Sequence, residues 1–198
     1  MIPLPEPRRK SPTSIEEALS KRRSIREYEA GTLALEDLAQ LLWSAQGVTA
    51  PQGYRTAPSA GALFPIALYV VAGNVSTVPP GVYKYDPGTH RLIRKLSGDR
   101  RRELTAAALS QGSIRSAPAV LVFTLHYSRT TGKYGERGKR YALIEIGHAA
   151  QNVHLQCESL DLGTVAIGAF SDEGVGRALG IPSDEAPLYI MPIGKKIY

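Results

Sequence analysis

Two apolar runs constrain this chain more than anything else in it: Ile66–Ala72 (IALYVVA) and Ala119–Leu125 (AVLVFTL). Both are rich in the β-branched and aromatic residues that fit a pleated backbone. A half-buried strand alternates apolar with polar, whereas a run that is apolar almost throughout belongs at a buried, central position. The 119–125 run is therefore expected at the middle of a sheet, and 66–72 is a second strong strand.

Around these runs come helices first, then strands and helices mixed, with a hairpin inserted. Thr13–Leu19 begins a short helix with its own N-cap, over about residues 14–21. Leu35, Leu38, Leu41, Leu42 and Ala45 keep helical spacing through 35–46, and Gly47 can close that helix. Gly81–Tyr85, a turn at Asp86-Pro87-Gly88 and Arg91–Leu96 form the hairpin. Residues 99–110 read as helical. The longest helix is expected from about Tyr141 to Asp161, stopping at Gly163. Its apolar face carries Ala142, Ile146, Ala149, Ala150, Val153, Cys157 and Leu160. Small residues near Gly147 leave two roles open, a subunit interface or an ordinary core helix. An extended segment over 164–170, a helix at about 172–180 and a final strand, Leu188–Ile193, complete the order. The class is α+β, not a regular βαβ alternation. Residues 1–12, with Pro3, Pro5, Pro7, Pro12 and the Arg8-Arg9-Lys10 triplet, read as an extended arm without a core of its own; 13–198 read as one domain.

Several chemistries are poorly supported. No apolar run approaches a membrane span, and the N-terminus has no apolar signal-peptide core, so a cytoplasmic protein is expected. Cys157 is the only cysteine, which rules out an intramolecular disulfide and suits packing. His148 and His154 share the long helix but lie well apart around it, so they do not make a metal pair. Gly174-Val175-Gly176 follows no clear strand and reads as a small-residue helix face, not a dinucleotide loop. No Gly-x-Ser-x-Gly is present. The net charge of +6 favours anionic partners. No recognition-helix or ribonucleoprotein pattern accompanies it, so nucleic-acid binding is not expected.

Four segments remain as carriers of chemistry. Arg22-Arg23-Ser24-Ile25-Arg26 places three guanidinium forks and a hydroxyl where phosphate could be bound, or is a solvated basic turn. Residues 48–65 form a loop long enough to suggest a task; within it Pro58, Ser59, Ala60, Gly61 and Ala62 let a backbone come close to something flat. Gly163–Phe170 is small and extended. Gly194-Lys195-Lys196 puts two ammonium groups after a buried strand.

In this order the segments resemble the nitroreductase-like FMN flavoprotein family, from about residue 14 to the C-terminus. Arg22-Arg23-Ser24-Ile25-Arg26 is similar to the family's opening Arg-Arg-Ser-x-Arg. Arg55–Pro65, Lys133–Gly138, Arg140–Leu143 and Gly147–Asn152 resemble the subgroup of SagB-type azoline dehydrogenases. The resemblance implies a mainly antiparallel sheet flanked by helices, an intertwined homodimer, FMN as cofactor, and NAD(P)H with a small-molecule substrate. It implies that Arg22, Arg23 and Ser24 hold the phosphate and ribityl region, and that Arg26 approaches the pyrimidine edge near N1 and O2. Lys195 and Lys196 would add positive charge at the phosphate. Pro58, Ser59, Ala60 and Gly61 would pack on one flavin face from the partner subunit. Ala166, Ile167, Gly168 and Ala169 would line the ring, with a backbone N–H from Gly168 or Ala169 at N5. Two departures point toward the azoline-dehydrogenase branch: Ala62-Leu63-Phe64 lacks the polar residues common in that loop, and Gly168 stands where many relatives carry Glu. That branch is associated with a Lys-Tyr pair in proton removal. The match drawn from sequence is Arg140-Tyr141, with Tyr141 as the catalytic candidate.

Overall fold

A computed structural model describes residues 1–197. Seven strands form one sheet in the order β1-β4-β3-β2-β5-β7-β6. The strands are β1 (Ile2–Pro3), β2 (Ile66–Ala72), β3 (Gly81–Asp86), β4 (Arg91–Ser97), β5 (Ala119–Leu125), β6 (Leu162–Thr164) and β7 (Ala186–Lys195). Every pairing is antiparallel. The helices are α1 (Ile15–Lys21), α2 (Leu35–Gln46), α3 (Arg101–Ala107), α4 (Gly112–Ser116), α5 (Tyr127–Tyr134), α6 (Arg137–Ser159) and α7 (Asp172–Leu179). The class is α+β, as expected.

β2 and β5 lie side by side in register from Ile66 opposite Leu125 to Ala72 opposite Ala119, and every residue of both is buried. Antiparallel sheets often leave one face to water; at β2 and β5 this one does not, whereas β4 is largely exposed. Leu68, Val70, Leu121 and Phe123 join α2 and α6 in one core, through Leu38, Leu41, Leu42, Ala142, Ile146 and Val153. Tyr69, Val71, Val120 and Val122 join α3, α4 and α7 in the other, through Leu104, Ile114, Val175 and Leu179. Helices on both faces account for two strands with no polar face. α7 approaches α3 closely at Gly174, where a Cβ would stand 3.0 Å from the Ala107 methyl.

Two expectations shift at their edges. The long helix begins at Arg137 instead of Tyr141 and ends at Ser159, and a separate helix, α5, precedes it. The 99–110 stretch is helical over 101–107, with α4 following. The N-terminal arm is extended, and it is tied down: Ile2 and Pro3 pair with Leu92 and Arg91 at the edge of the sheet. Further along, Gln40 holds the Arg8 backbone at both N–H (2.7 Å) and C=O (3.2 Å).

Candidate active site

The Arg22–Arg26 run leaves α1, whose N-cap is Ser14: its Oγ accepts from the Glu17 N–H at 3.1 Å. The chain then runs along the β6–β7 end of the sheet. Ile25 donates its N–H to Thr164 O at 2.9 Å, and Glu29 donates to Lys195 O at 3.0 Å. Ser24 bridges to Thr164 and Tyr28 to Lys196. This close approach depends on two glycines. A Cβ at Gly163 would fall 2.7 Å from Ile25 Cγ2, and one at Gly194 would fall 2.5 Å from Tyr28 Cγ. The Tyr28 hydroxyl lies within hydrogen-bond distance of Ile25 O (2.8 Å) and Pro192 O (3.2 Å), its one proton shared between them, which fixes the run to β7.

Of the predicted residues, Arg22, Arg23, Ser24, Arg26, Lys195 and Lys196 thus come together, with the 166–169 segment continuing from β6. Ile167 exchanges backbone hydrogen bonds with Ile190 (2.9 and 3.0 Å), leaving Gly168 and Ala169 exposed beyond it. Gln111 Nε2 donates to Ala169 O at 3.1 Å. Gln111 and Arg26 line one cleft of about 610 Å³ with Tyr28, Gly112, Ser113 and Ser116.

The charges in this region are unevenly matched. Lys195 pairs with Glu29 at 2.9 Å, and Lys196 with Glu158 at 2.7 Å, the latter pair well buried. Among the described residues no ion pair involves Arg22, Arg23 or Arg26. Arg23 only turns back onto Ser20 O and Arg22 O. Burial, and then the Arg22 charge, hold the His154 imidazole below its usual range. The Thr164 hydroxyl is buried and has no hydrogen-bond partner among the described residues, and its backbone bridges to Ser24. Guanidinium groups with no carboxylate partner among the described residues, on a run that the two glycines let lie close against the sheet, fit a bound phosphate-bearing group.

The second predicted segment lies elsewhere on the chain. Ala60–Ala62 form one 3-10 turn after Ser59. Gly61, Ala62 and Phe64 have φ of 63°, 53° and 46°. Ser59 Oγ accepts from the Phe64 N–H at 2.9 Å, and Arg129 donates to Phe64 O at 2.9 Å. Pro58, Gly61 and Ala62 are exposed. Ser59 lies near Glu145 of α6, and Arg22 near His154 of the same helix. Those two α6 positions are separated by about 14 Å of helical rise, so within one chain the loop and the arginine run stand apart.

Tyr141 is half-buried and meets Tyr134 edge-on, with ring centroids 5.2 Å apart. The side chains that reach the loop are those of α5: a Cβ at Gly61 would be 2.7 Å from Tyr134 Oη and 2.9 Å from Lys133 Nζ. In the sequence Lys133-Tyr134 stands inside the Lys133–Gly138 string, and its being itself a Lys-Tyr pair is the signal that marks it. Glu145, which no sequence pattern marks, is buried beside this loop, where Ser59 acts on it.

Among the described residues no helix is long and apolar enough to cross a membrane. The nitroreductase family model matches residues 19–195. A Methanocaldococcus jannaschii protein named provisionally as a nitroreductase, MJ1384, is 48% identical over 92% of this chain and 91% of its own length. A crystal structure from Ralstonia eutropha JMP134, described in the same provisional terms, superposes with a TM-score of 0.88 at 32% identity, covering 100% of this chain and 90% of that one. The microcin B17-processing protein McbC of Escherichia coli is 26% identical over 82% of this chain, which spans 62% of McbC. The match covers both the arginine run and the sheet it rests on, and the chain belongs to the nitroreductase family of oxidoreductases.

Proposed function

We propose that the chain is an FMN-dependent oxidoreductase that works as a homodimer with NAD(P)H as donor. The observation that carries this reading is the gathering, at one end of the sheet, of three arginines and the Thr164 hydroxyl that have no carboxylate or hydrogen-bond partner, respectively, among the described residues, beside the open 166–169 backbone. Bound FMN would supply a two-electron carrier that accepts and releases hydride at N5, in a ping-pong order. Arg22, Arg23 and Ser24 hold the phosphate and ribityl region; Lys195 and Lys196 stand close by, largely neutralised by their glutamates. Arg26 sets positive charge at the pyrimidine edge, where negative charge grows on reduction. Gly168 and Ala169 present backbone N–H groups along the ring. Pro58–Gly61 cover the opposite face from the partner subunit, and the exposed Leu143 and Ile144 on α6 suit such an interface. The test is anaerobic titration of purified protein with NADH and NADPH, followed by an acceptor screen. Protein that is colourless, and gains no visible flavin band on mixing with FMN, would sink the reading.

A second reading, an azoline dehydrogenase acting on a modified peptide, is favoured by one observation: Lys133 Nζ and Tyr134 Oη converge on Gly61. The likeness to McbC supports it. In this reading Lys133 and Tyr134 take the proton as hydride leaves a thiazoline or oxazoline ring, and Tyr141 braces Tyr134. Arg140 is a poor base because its guanidinium stays protonated. A thiazoline peptide should bleach the oxidised flavin anaerobically, and Tyr134→Phe should abolish that while leaving reduction by NAD(P)H intact. Bleaching that survives in Tyr134→Phe removes the pair from the reaction.

A further inference from the structure

The proposed reaction leaves one buried carboxyl without a role. Glu145 is 2% exposed; among the described residues no donor meets either oxygen at full hydrogen-bond geometry, and the Ser59 hydroxyl is the hydrogen-bonding group that acts on it. Two other buried atoms of the same cluster, Arg55 Nε and Gln46 Nε2, are also unpartnered. Arg55 of the loop meets Gln46 of α2, and Ser59 and Arg55 of the same loop both act on Glu145 of α6.

Arg55 connects them. Its Nη1 donates to Gln46 Oε1 at 2.7 Å, and its guanidinium lies 4.3 Å from the centroid of the Phe64 ring. Phe64 is the hinge of the loop: its N–H is held by Ser59 Oγ and its carbonyl by Arg129. Ala62 and Phe64 are non-glycine residues at positive φ. Such conformations are sparsely populated and persist only when their surroundings hold them. The loop is thus a strained segment kept in place by Arg55, Arg129 and Ser59.

A buried carboxylate without a partner is far more costly than a neutral carboxyl. Burial pushes the Glu145 carboxyl up to about 7, against smaller opposing pulls from Ser59 and Arg55. Arg55 is the one charged group acting directly on it. Arg129 from α5, with Tyr85 and Asp86 from β3, act in turn on Arg55. Lys133 and Tyr134 face the loop at Gly61, and α2 contributes the uncharged Gln46.

We propose that Glu145 is the positioning residue of the Pro58–Ala62 loop, acting through Arg55. As a neutral acid it leaves Arg55 on Gln46 and Phe64, with the loop as described. On losing its proton it draws the guanidinium across through the unpartnered Nε, which frees the Phe64 ring and shifts the loop. The effect on catalysis rests on the reading of residues 58–61 as a cover for the flavin; the coupling of Glu145 to the loop does not.

The test is amide hydrogen exchange of residues 55–64 in the full chain, corrected for intrinsic rates, from about pH 5.5 to about pH 8.5, a window that spans the raised value. Protection should fall about tenfold through a midpoint near 7, the range to which burial raises Glu145. Glu145→Gln should hold the protected state across the window, and Arg55→Met should remove the transition by removing the group that moves. A flat wild-type profile overturns the proposal, as does a midpoint that survives in either variant. If Glu145→Gln does not fold, the wild-type and Arg55→Met profiles still decide. Failure of every form to take up flavin would instead count against the cofactor reading, and would leave the exchange result standing.

Discussion

Gly163 and Gly194 face each other across the β6–β7 ladder, and the Ile25 and Tyr28 side chains occupy the places where their side chains would stand. This pairing lets the arginine run lie flat on the sheet. Gly194→Ala should push the Tyr28 ring from its seat. Overpacking of this kind costs about 1–3 kcal/mol, and it should also move Arg22–Arg26. A thermal melt and a flavin-fluorescence titration on the same sample should show a lowered midpoint together with weakened binding. Unchanged binding would mean that the run is not positioned by this contact.

Arg22→Ala should weaken FMN binding by about ten- to a hundredfold, the range expected for a lost hydrogen bond to a charged group. Riboflavin, which has no phosphate, should bind the variant and the parent almost equally. An equal loss for both ligands would place Arg22 away from the phosphate.

Glu185 anchors the hairpin from beneath. It accepts from Lys84 Nζ at 2.6 Å, Thr124 Oγ1 at 2.7 Å and Tyr69 Oη at 3.0 Å. Burial alone would raise its carboxyl, but the hydrogen bonds from Lys84, Thr124 and Tyr69 outweigh it and hold the group below its ordinary range. The resulting stability is fully present above the unfolded value, about 4.3, and is lost as pH falls through the lower folded value. Glu185→Gln should therefore cost about 1–3 kcal/mol at neutral pH and flatten the acid limb of the stability profile. Denaturant melts across the acid range measure both effects.

Cys157 is buried in the core face of α6, and burial pushes its thiol well above the usual range. It should resist a thiol reagent such as DTNB in the native protein and react fully once unfolded. Rapid native labelling would show that α6 opens locally.

What the sequence disclosed follows from where each signal resides. α2, β2 and β5 were legible to the residue: Leu38 and Leu41 repeat at helical spacing toward a core, and the β2 and β5 runs are apolar almost throughout because both their faces are buried. α5 was not: Thr130 is its only buried residue, and no apolar stripe marks it. It is helical because it packs against α6, where a Cβ at Gly138 would fall 2.6 Å from the Thr130 backbone. That same contact extends α6 back to Arg137, through residues with no apolar pattern. The arginine run was legible as a local string. The Glu145 cluster was not, since Gln46, Arg55, Ser59 and Glu145 meet only after folding, and a lone glutamate on a helix otherwise reads as solvated.

The arm at residues 1–12 has a consequence for association between molecules. β4 would otherwise present a free row of backbone donors and acceptors, the kind of border that recruits a strand from another molecule. Ile2 and Pro3 cover part of that row. Pro3 and Pro5 offer no N–H of their own with which to continue the ladder outward. The opposite border, β6, is only three residues long, and the 24–28 segment lies against it. Both rims of the sheet are thus partly blocked to strand addition, which disfavours edge-to-edge pairing between copies.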